Sequence, residues 1–240
     1  MVSQNLLTKN IMCSTNSYPY LLGSGASSVV YRTSPEQVVK CCRPGTLGEI
    51  EHERDILERL GEHPLIITKF EREDAGQLIL QYHPRELRDV LLSGTHIHRE
   101  KWALQITEAL AHVHAHDVIH RDFNLSNIRI KTSQDIVLCD FAGSSLVGHA
   151  QMGLRAEVRF CRLPYHSMAT VQDDLFSLGS ILYGLSTGSV PYATLKDKDV
   201  VRLYSVKKFP PVGNLPMRKI ITKCWNESYQ SANEVLLDLV

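Results

Sequence analysis

The segment TVQDDLFSLGSILYGLSTG at residues 170–188 limits what this chain can fold into more than any other stretch. Its apolar residues Leu175, Phe176, Leu178, Ile181, Leu182 and Leu185 recur at helical spacing, yet they surround the helix instead of lining one face. A helix that is apolar all round is buried on every side. Ser and Gly interrupt it and it is too short to cross a bilayer, so the rest of the chain must supply the elements that enclose it. A chain of 240 residues is long enough to do so, as one domain or a two-lobed unit with a full core.

Those enclosing elements fall into two textures. From Ser17 to Cys42 the runs SYPYLL, SSVVYR and QVVKCC, separated by Gly, Ser and Pro, read as three antiparallel strands. TLGEIEHERDILERLGEH then places Leu47, Ile50, Ile56, Leu57 and Leu60 at helical spacing and closes on Gly61. LIITKFERE and QLILQYH read as two more strands around the turn DAG. After Pro84 helical periodicity dominates. It runs through ELRDVLLSG, then REKWALQITEALAHVHAH with its stripe Trp102, Ile106, Leu110 and Val113, and finally VVRLYSVKKF, LPMRKIITKCWN and SANEVLLDL. NIRIKTS and DIVLCD form a short hairpin between two of the helices. The expected class is α+β, with a small β-rich lobe carrying one helix and a larger, mostly helical lobe.

Twenty-six acidic and twenty-six basic residues leave no net charge, hence no broad electrostatic footprint for nucleic acid or a membrane surface. The cysteines Cys13, Cys41, Cys42, Cys139, Cys161 and Cys224 show no CxxC spacing and read as reduced thiols of an intracellular protein. The first twenty residues lack the charged and apolar regions of a secretory signal. The expectation is a soluble chain, cytoplasmic or nuclear. His112, His114 and His116 share one helix, but without the H-E-x-x-H arrangement they read as exposed or capping residues and not as metal ligands.

In LLGSGASSVVY, Gly23, Gly25 and Ser28 give a G-x-G-x-x-S spacing, in which small residues let backbone N–H groups approach phosphate oxygens. In isolation this is as much an ordinary hairpin turn. Strand signals on both sides argue against a dinucleotide fingerprint, which opens a helix, and no G-K-[ST] is present to make a P-loop. Lys40 follows on the next strand, HRDFNLSN spans residues 120–127, and LCDFAGSS spans 138–145.

Together these residues resemble the protein kinase family, in motif order, from about Tyr18 to Leu239. The wording DFAGSS is also similar to that of divergent kinase-like proteins of fungi. The resemblance implies a bilobal fold with residues 1–17 as an extension, 18–83 as the N-lobe and 84–240 as the C-lobe. It implies a glycine-rich loop over phosphates from Gly23 through Ser24, Gly25 and Ser28 to Val30. Lys40 would hold the α- and β-phosphates through an ion pair to Glu53, with Glu49 and Glu51 as alternatives. Asp122 would orient or deprotonate the substrate hydroxyl, and Asn127 and Asp140 would ligate Mg²⁺. Val38, the gatekeeper Leu80 and the hinge residues Gln81, Tyr82 and His83 would receive adenine. Asp174 would anchor the catalytic loop.

The chain departs from the family pattern in several places. Asn124 stands where serine/threonine kinases carry a lysine, removing a cation from the γ-phosphate, and catalysis is expected to be slower. Ala142 replaces the glycine of the metal-binding element, a change expected to stiffen the turn and leave the Asp140 carboxylate in place. Arg129 stands at the adenine floor, where it could stack on the ring or deny an apolar slot. Tyr165 replaces the glutamate of A-P-E, and CWNESYQSANE lacks its arginine partner, so neither charge is left buried alone. Ser, Thr and Tyr are absent from residues 146–162, leaving Ser144 and Ser145 as the candidates for an activating phosphate and Arg121 without its usual phosphate partner. The expected function is ATP-dependent transfer of the γ-phosphoryl group to a protein hydroxyl, Ser/Thr before Tyr. The alternatives are a pseudokinase serving as a nucleotide-binding or scaffold module and a small-molecule phosphotransferase. The expected cofactors are ATP and Mg²⁺, and the expected partner is a protein substrate, with no nucleic acid and no membrane.

Overall fold

The computed structural model describes residues 20–25, 27–70, 75–94, 98–149, 157–166 and 168–240. The chain divides into two compact units: the described residues of Met1–Asp55 with Thr68–Tyr82, and Ile56–Ile67 with His83–Val240.

The first unit is built on strands β1 (Tyr20–Ser24), β2 (Ser28–Arg32) and β3 (Gln37–Cys42), the part of helix α1 (Leu47–Leu60) up to Asp55, and strands β4 (Lys69–Phe70) and β5 (Gln77–Gln81). The sheet order is β1-β2-β3-β5-β4, antiparallel throughout. Alternation in QVVKCC turns Val39 and Cys41 to one face, where they pack with Ile79, Tyr31 and Phe70 as the unit's core. The opposite face receives Lys40, opposite Val30 on β2 and Leu78 on β5. Arg54 of α1 donates to the Gln77 carbonyl at 2.8 Å and so fastens the helix to β5. The strand expected over LIITKFERE is only two residues long here, and residues 71–74 lie outside the described set.

The second unit follows with β6 (Arg85–Glu86), α2 (Leu87–Leu92), α3 (Arg99–Ala115), β7 (Val118–Ile119), β8 (Ile128–Ile130), β9 (Ile136–Leu138), β10 (Ser145–Leu146), α4 (Val171–Thr187), α5 (Asp197–Ser205), α6 (Arg218–Trp225) and α7 (Ala232–Leu239). The hairpin expected from NIRIKTS and DIVLCD is β8–β9, with Ile128 opposite Leu138 and Ile130 opposite Ile136. β6 adds to it as a third strand, and β7 and β10 form a separate pair.

Helix α4 is the enclosed element: Leu175, Phe176, Leu178, Ile181, Leu182 and Leu185 are all buried. Asp173 accepts from the Thr170 N–H at 2.8 Å and caps its start, and Gly188, at φ 75°, ends it. α4 packs on α3 and α6. At Gly179 a Cβ would come within 2.7 Å of the Cys224 Cβ, so the absence of a side chain is what lets α6 approach. The result is an α+β chain, with a β-rich first unit and a mainly helical second unit. Among the described residues, no helix is long and apolar enough to cross a membrane. The five described cysteines are unbridged, and Cys13 lies outside the described residues.

The histidine-rich end of α3 resolves into two separate arrangements. His114 faces Asp174, with Nε2 at 2.9 Å from Oδ2. His112 stacks on His63 with ring centroids 4.1 Å apart, and His116 lies 4.3 Å from His112. His112 Nε2 meets the Leu60 carbonyl, His116 Nδ1 meets the His112 carbonyl, and His63 Nδ1 accepts from the Leu65 N–H. Among the described residues no group of three or more ligating side chains could hold a metal ion.

Burial first, then the neighbouring His112, His116 and Lys131, lower the pKa of His63; burial, Lys131 and Arg129 lower that of His83. A histidine whose folded pKa lies below its unfolded value near 6.5 contributes stability that is complete above that value and lost as pH falls toward the folded pKa. Tm is therefore expected to fall from about pH 7.5 to about pH 5.5, and the slope should flatten in His63→Gln. An identical slope in the two proteins would remove His63 from the account.

Candidate active site

In the first unit, Gly23, Ser24 and Gly25 end β1 and lead into β2, with Gly23 opposite Val30 and Ser24 opposite Val29. Ala26 of this loop lies outside the described residues. The Gly25 N–H donates to the Ser28 carbonyl at 2.9 Å, and Arg43 donates to the Gly25 carbonyl at 2.9 Å and to the Ser24 hydroxyl. Neither glycine has a positive φ, and a Cβ at Gly23 would meet nothing within 4 Å. The fold itself therefore does not demand glycine at position 23.

Lys40 is buried on β3, and its Nζ lies 2.6 Å from Glu53 Oε2, the two side chains 8% and 0% exposed. Of the three glutamates weighed from sequence, Glu53 is thus the partner in this ion pair, because α1 turns it toward β3. Val38 and Leu80 are direct neighbours across β3 and β5, and both are buried. The N–H of Gln81 donates to the Thr68 carbonyl at 2.9 Å and that of Tyr82 to the Glu36 carbonyl at 2.7 Å. His83 opens the long second part of the other unit.

In the second unit, the loop after β7 is organised by one buried carboxylate. Asp174 of α4 accepts from the N–H of His120 at 2.8 Å and of Arg121 at 2.9 Å, as well as facing His114. Burial alone would raise its pKa, but the hydrogen bond and charge of His114, with help from His120 and the Arg121 N–H, bring it below the usual carboxylate value. Arg121 is held at φ 66° and Asp140 at φ 65°, conformations that non-glycine residues adopt at a cost of about 1–3 kcal/mol each. Ala142 has no positive φ, so the missing glycine of DFAG costs the backbone nothing.

Asp122 accepts from two amides at once. Asn124 Nδ2 donates to Oδ1 at 2.8 Å and Asn127 Nδ2 donates to Oδ2 at 2.9 Å. Both side chains also reach the Asp122 carbonyl, at 3.1 Å and 2.7 Å. Asn124 Oδ1 accepts from the Ser126 N–H at 2.8 Å and caps the short 3-10 helix Leu125–Asn127. Burial pushes the Asp122 pKa up, with Asp140 adding to the rise, while His120 and the two amides work against it. The Asn127 carbonyl accepts the Cys139 N–H at 2.9 Å, which ties the residue before Asp140 to the loop. With Nδ2 committed to Asp122, Oδ1 is the Asn127 atom able to meet a cation.

Arg129 and Glu86 face each other on neighbouring strands β8 and β6, Nη2 to Oε1 at 3.0 Å, with both side chains partly exposed. The guanidinium expected at the adenine floor is drawn to this carboxylate.

The activation segment differs most from what the sequence led us to expect. Arg121 donates to the Gly143 carbonyl at 3.2 Å. Ser144 and Ser145 are buried, at 2% and 4% exposure, so the two phosphate candidates face inward. Residues 150–156 lie outside the described set. Beyond them, Tyr165 is exposed, but buried Arg162 reaches Asp173 at 2.9 Å, Glu227 at 2.9 Å and Thr170 at 3.2 Å. The family's glutamate–arginine pair is absent, as Tyr165 and CWNESYQSANE lead one to expect, but the two stretches are still joined. A pair exists with its charges exchanged: the arginine lies on the segment, and the glutamate on the turn after α6. Arg162 directly precedes LPY and Glu227 follows CWN, so a search for the reversed charge order would have found both.

Comparison with known proteins supports one family. A model of the protein kinase domain matches residues 18–238. The chain is 28% identical over 203 residues to serine/threonine-protein kinase PLK4 of Danio rerio, covering 72% of this chain and 21% of that protein. It is 28% identical over 205 residues to serine/threonine-protein kinase 36 of Mus musculus, covering 76% and 15%. It is 27% identical over 145 residues to a putative mitogen-activated protein kinase kinase kinase 7-like protein of Drosophila melanogaster, covering 58% and 36%. The chain thus spans only a minor part of the length of these curated relatives. With the motif residues in family order on the elements described above, this chain belongs to the protein kinase family.

Proposed function

We propose that this chain is an ATP-dependent kinase that transfers the γ-phosphoryl group to a serine or threonine hydroxyl of a protein, with residues 18–83 as its N-lobe and 84–240 as its C-lobe. The observation that carries the reading is the Asp122 carboxylate, fixed through both oxygens by Asn124 and Asn127. A general base must present its lone pair in one direction, and two amide donors hold it there. The substrate oxygen forms a bond to the γ-phosphorus as the bond to the ADP oxygen breaks, and the hydroxyl proton passes to Asp122. Asn127 and Asp140 offer hard oxygens of the kind Mg²⁺ prefers, and bound Mg²⁺ would supply charge neutralisation on the phosphates. Lys40, kept extended by Glu53, would hold the α- and β-phosphates. The open space at Gly23 suits backbone that must approach them. Since the N–H groups of Gln81 and Tyr82 are already committed, His83 is the hinge donor for adenine.

A second reading, a pseudokinase module, draws on Asn124: its amide serves Asp122, and no cation stands at its position. The two readings part in a thermal-unfolding experiment with and without Mg·ATP, followed by transfer to dephosphorylated casein. At about a hundred times Kd a native-state ligand adds roughly 2.7 kcal/mol. For a chain of this size that corresponds to several degrees, at about 2–4 °C per kcal/mol. The shift is expected to vanish in Asp140→Asn, and a shift of full size in that variant would remove Asp140 from the metal site. Binding without any transfer would select the module reading, and no shift up to millimolar ATP would exclude nucleotide from both.

A further inference from the structure

Arg88 of α2 reaches in two directions. Its Nε donates to the Ser126 hydroxyl at 2.7 Å, beside Asn127 in the catalytic loop, and its Nη2 pairs with the Glu157 carboxylate at the end of the activation segment. Its guanidinium also lies 5.9 Å from the ring of Phe160, which is fully buried in the same segment. The arginine and glutamate side chains are 26% and 33% exposed, sheltered enough for a charge-assisted pair to hold position.

From Glu157 onward the segment is fastened by its own charges. Glu157 goes to Arg88, Arg159 to Asp197 at 2.7 Å and to the Leu195 carbonyl at 2.6 Å, and Arg162 to Asp173 and Glu227. No residue between 146 and 162 carries a hydroxyl for phosphorylation, and the two serines before that stretch are buried.

We propose that Arg88 is a positioning residue that joins the catalytic loop to the end of the activation segment, so that the two are ordered together by a fixed ion pair in place of a phosphate. The proposal rests on the kinase reading for its catalytic consequence and on geometry alone for the coupling. A planar guanidinium can serve two acceptors at fixed angles, whereas a lysine ammonium at this position would hold one acceptor without orienting the other.

Amide hydrogen exchange on the full chain tests the coupling. The reporters are the N–H groups of Ser126 and Asn127 in the catalytic loop and those of Phe160 and Cys161 in the segment, each with an acceptor in its own loop. Arg88→Ala is expected to speed exchange about tenfold at both places while α2 itself stays protected. Glu157→Gln, at a partly exposed residue, is expected to loosen Ser126 and Asn127 as well as its own segment. The double variant should be no looser than Arg88→Ala alone. Arg88→Lys should restore protection at Phe160 and leave Ser126 loose.

If Glu157→Gln loosens only residues 157–161, or if Arg88→Ala opens α2 along with everything else, the coupling is wrong. Transfer to dephosphorylated casein supplies the functional arm: kcat is expected to fall about tenfold in Arg88→Ala with KM for ATP and the Mg·ATP thermal shift unchanged. An unchanged kcat would overturn the catalytic consequence. A wild-type chain that transfers no phosphate would count against the kinase reading, and the exchange pattern would still decide whether Arg88 couples the two segments.

Discussion

Asp174→Asn is expected to be among the most damaging single substitutions in this chain, lowering stability by roughly 3–5 kcal/mol, or about 10 °C in Tm. The carboxylate is fully buried and all its neighbours are donors: the His120 N–H and His114 Nε2 on one oxygen, the Arg121 N–H on the other. An asparagine has nearly the same shape but only one acceptor atom. Whichever way its amide turns, an NH₂ group faces a backbone N–H, and a buried donor is left without an acceptor. The Arg121 bond also helps keep that residue in its left-handed conformation, so its loss lets the HRD backbone relax. The effect should therefore reach beyond stability. In the variant that still folds at low temperature, transfer should be lost because Asp122 follows Arg121 directly. A change in Tm of less than about 2 °C, too small for the loss of a buried acceptor, would mean that water or a rearranged loop replaces the carboxylate.

How much of this arrangement the sequence reveals depends on how local each cause is. Helix α4 was legible because six apolar positions encircle it, and β1 to β3 were legible because short β-branched runs are punctuated by Gly, Ser and Pro. Strands β6, β7 and β10 were not. Two residues cannot display a period of two, and these strands exist because distant segments present edges to them.

The same distinction holds in the candidate site. HRDFNLSN offers Asp122 and Asn127 by type and order, and the structure joins the two side chains by a hydrogen bond. Asn124, however, reads in sequence as an absent cation and in the structure as a second clamp on Asp122, because the loop folds its side chain back over two residues. Arg162 and Glu227 are far apart in the chain, and neither carries a local signal of its partner. Arg88, Ser126 and Glu157 come from three elements that only tertiary folding brings together, so no spacing rule could have joined them.

The second large effect belongs to Lys40 and Glu53, and a double-mutant cycle separates its structural part from its chemical part. Lys40→Met removes the ammonium that lies 2.6 Å from a carboxylate at 0% exposure, and taking one partner out of a buried pair costs about 3–5 kcal/mol. Glu53→Gln should cost less, because the lysine stem can bend to carry its charge toward water. In the variant carrying both Lys40→Met and Glu53→Gln neither charge of the pair remains, and well-packed apolar groups of similar size often replace such a pair at little cost. Most of the stability lost in Lys40→Met should return, with a coupling of roughly 1–3 kcal/mol between the sites. Phosphoryl transfer should not return with it. If Lys40 holds the phosphates, the double variant is a well-folded protein lacking the one cation that β3 directs at them, and its Mg·ATP thermal shift should stay below that of the wild type. Recovery of stability together with full nucleotide binding would make the pair a structural strut and move the phosphate contact elsewhere. Failure to recover stability would show that the packing around α1 needs the pair's geometry as well as its neutrality.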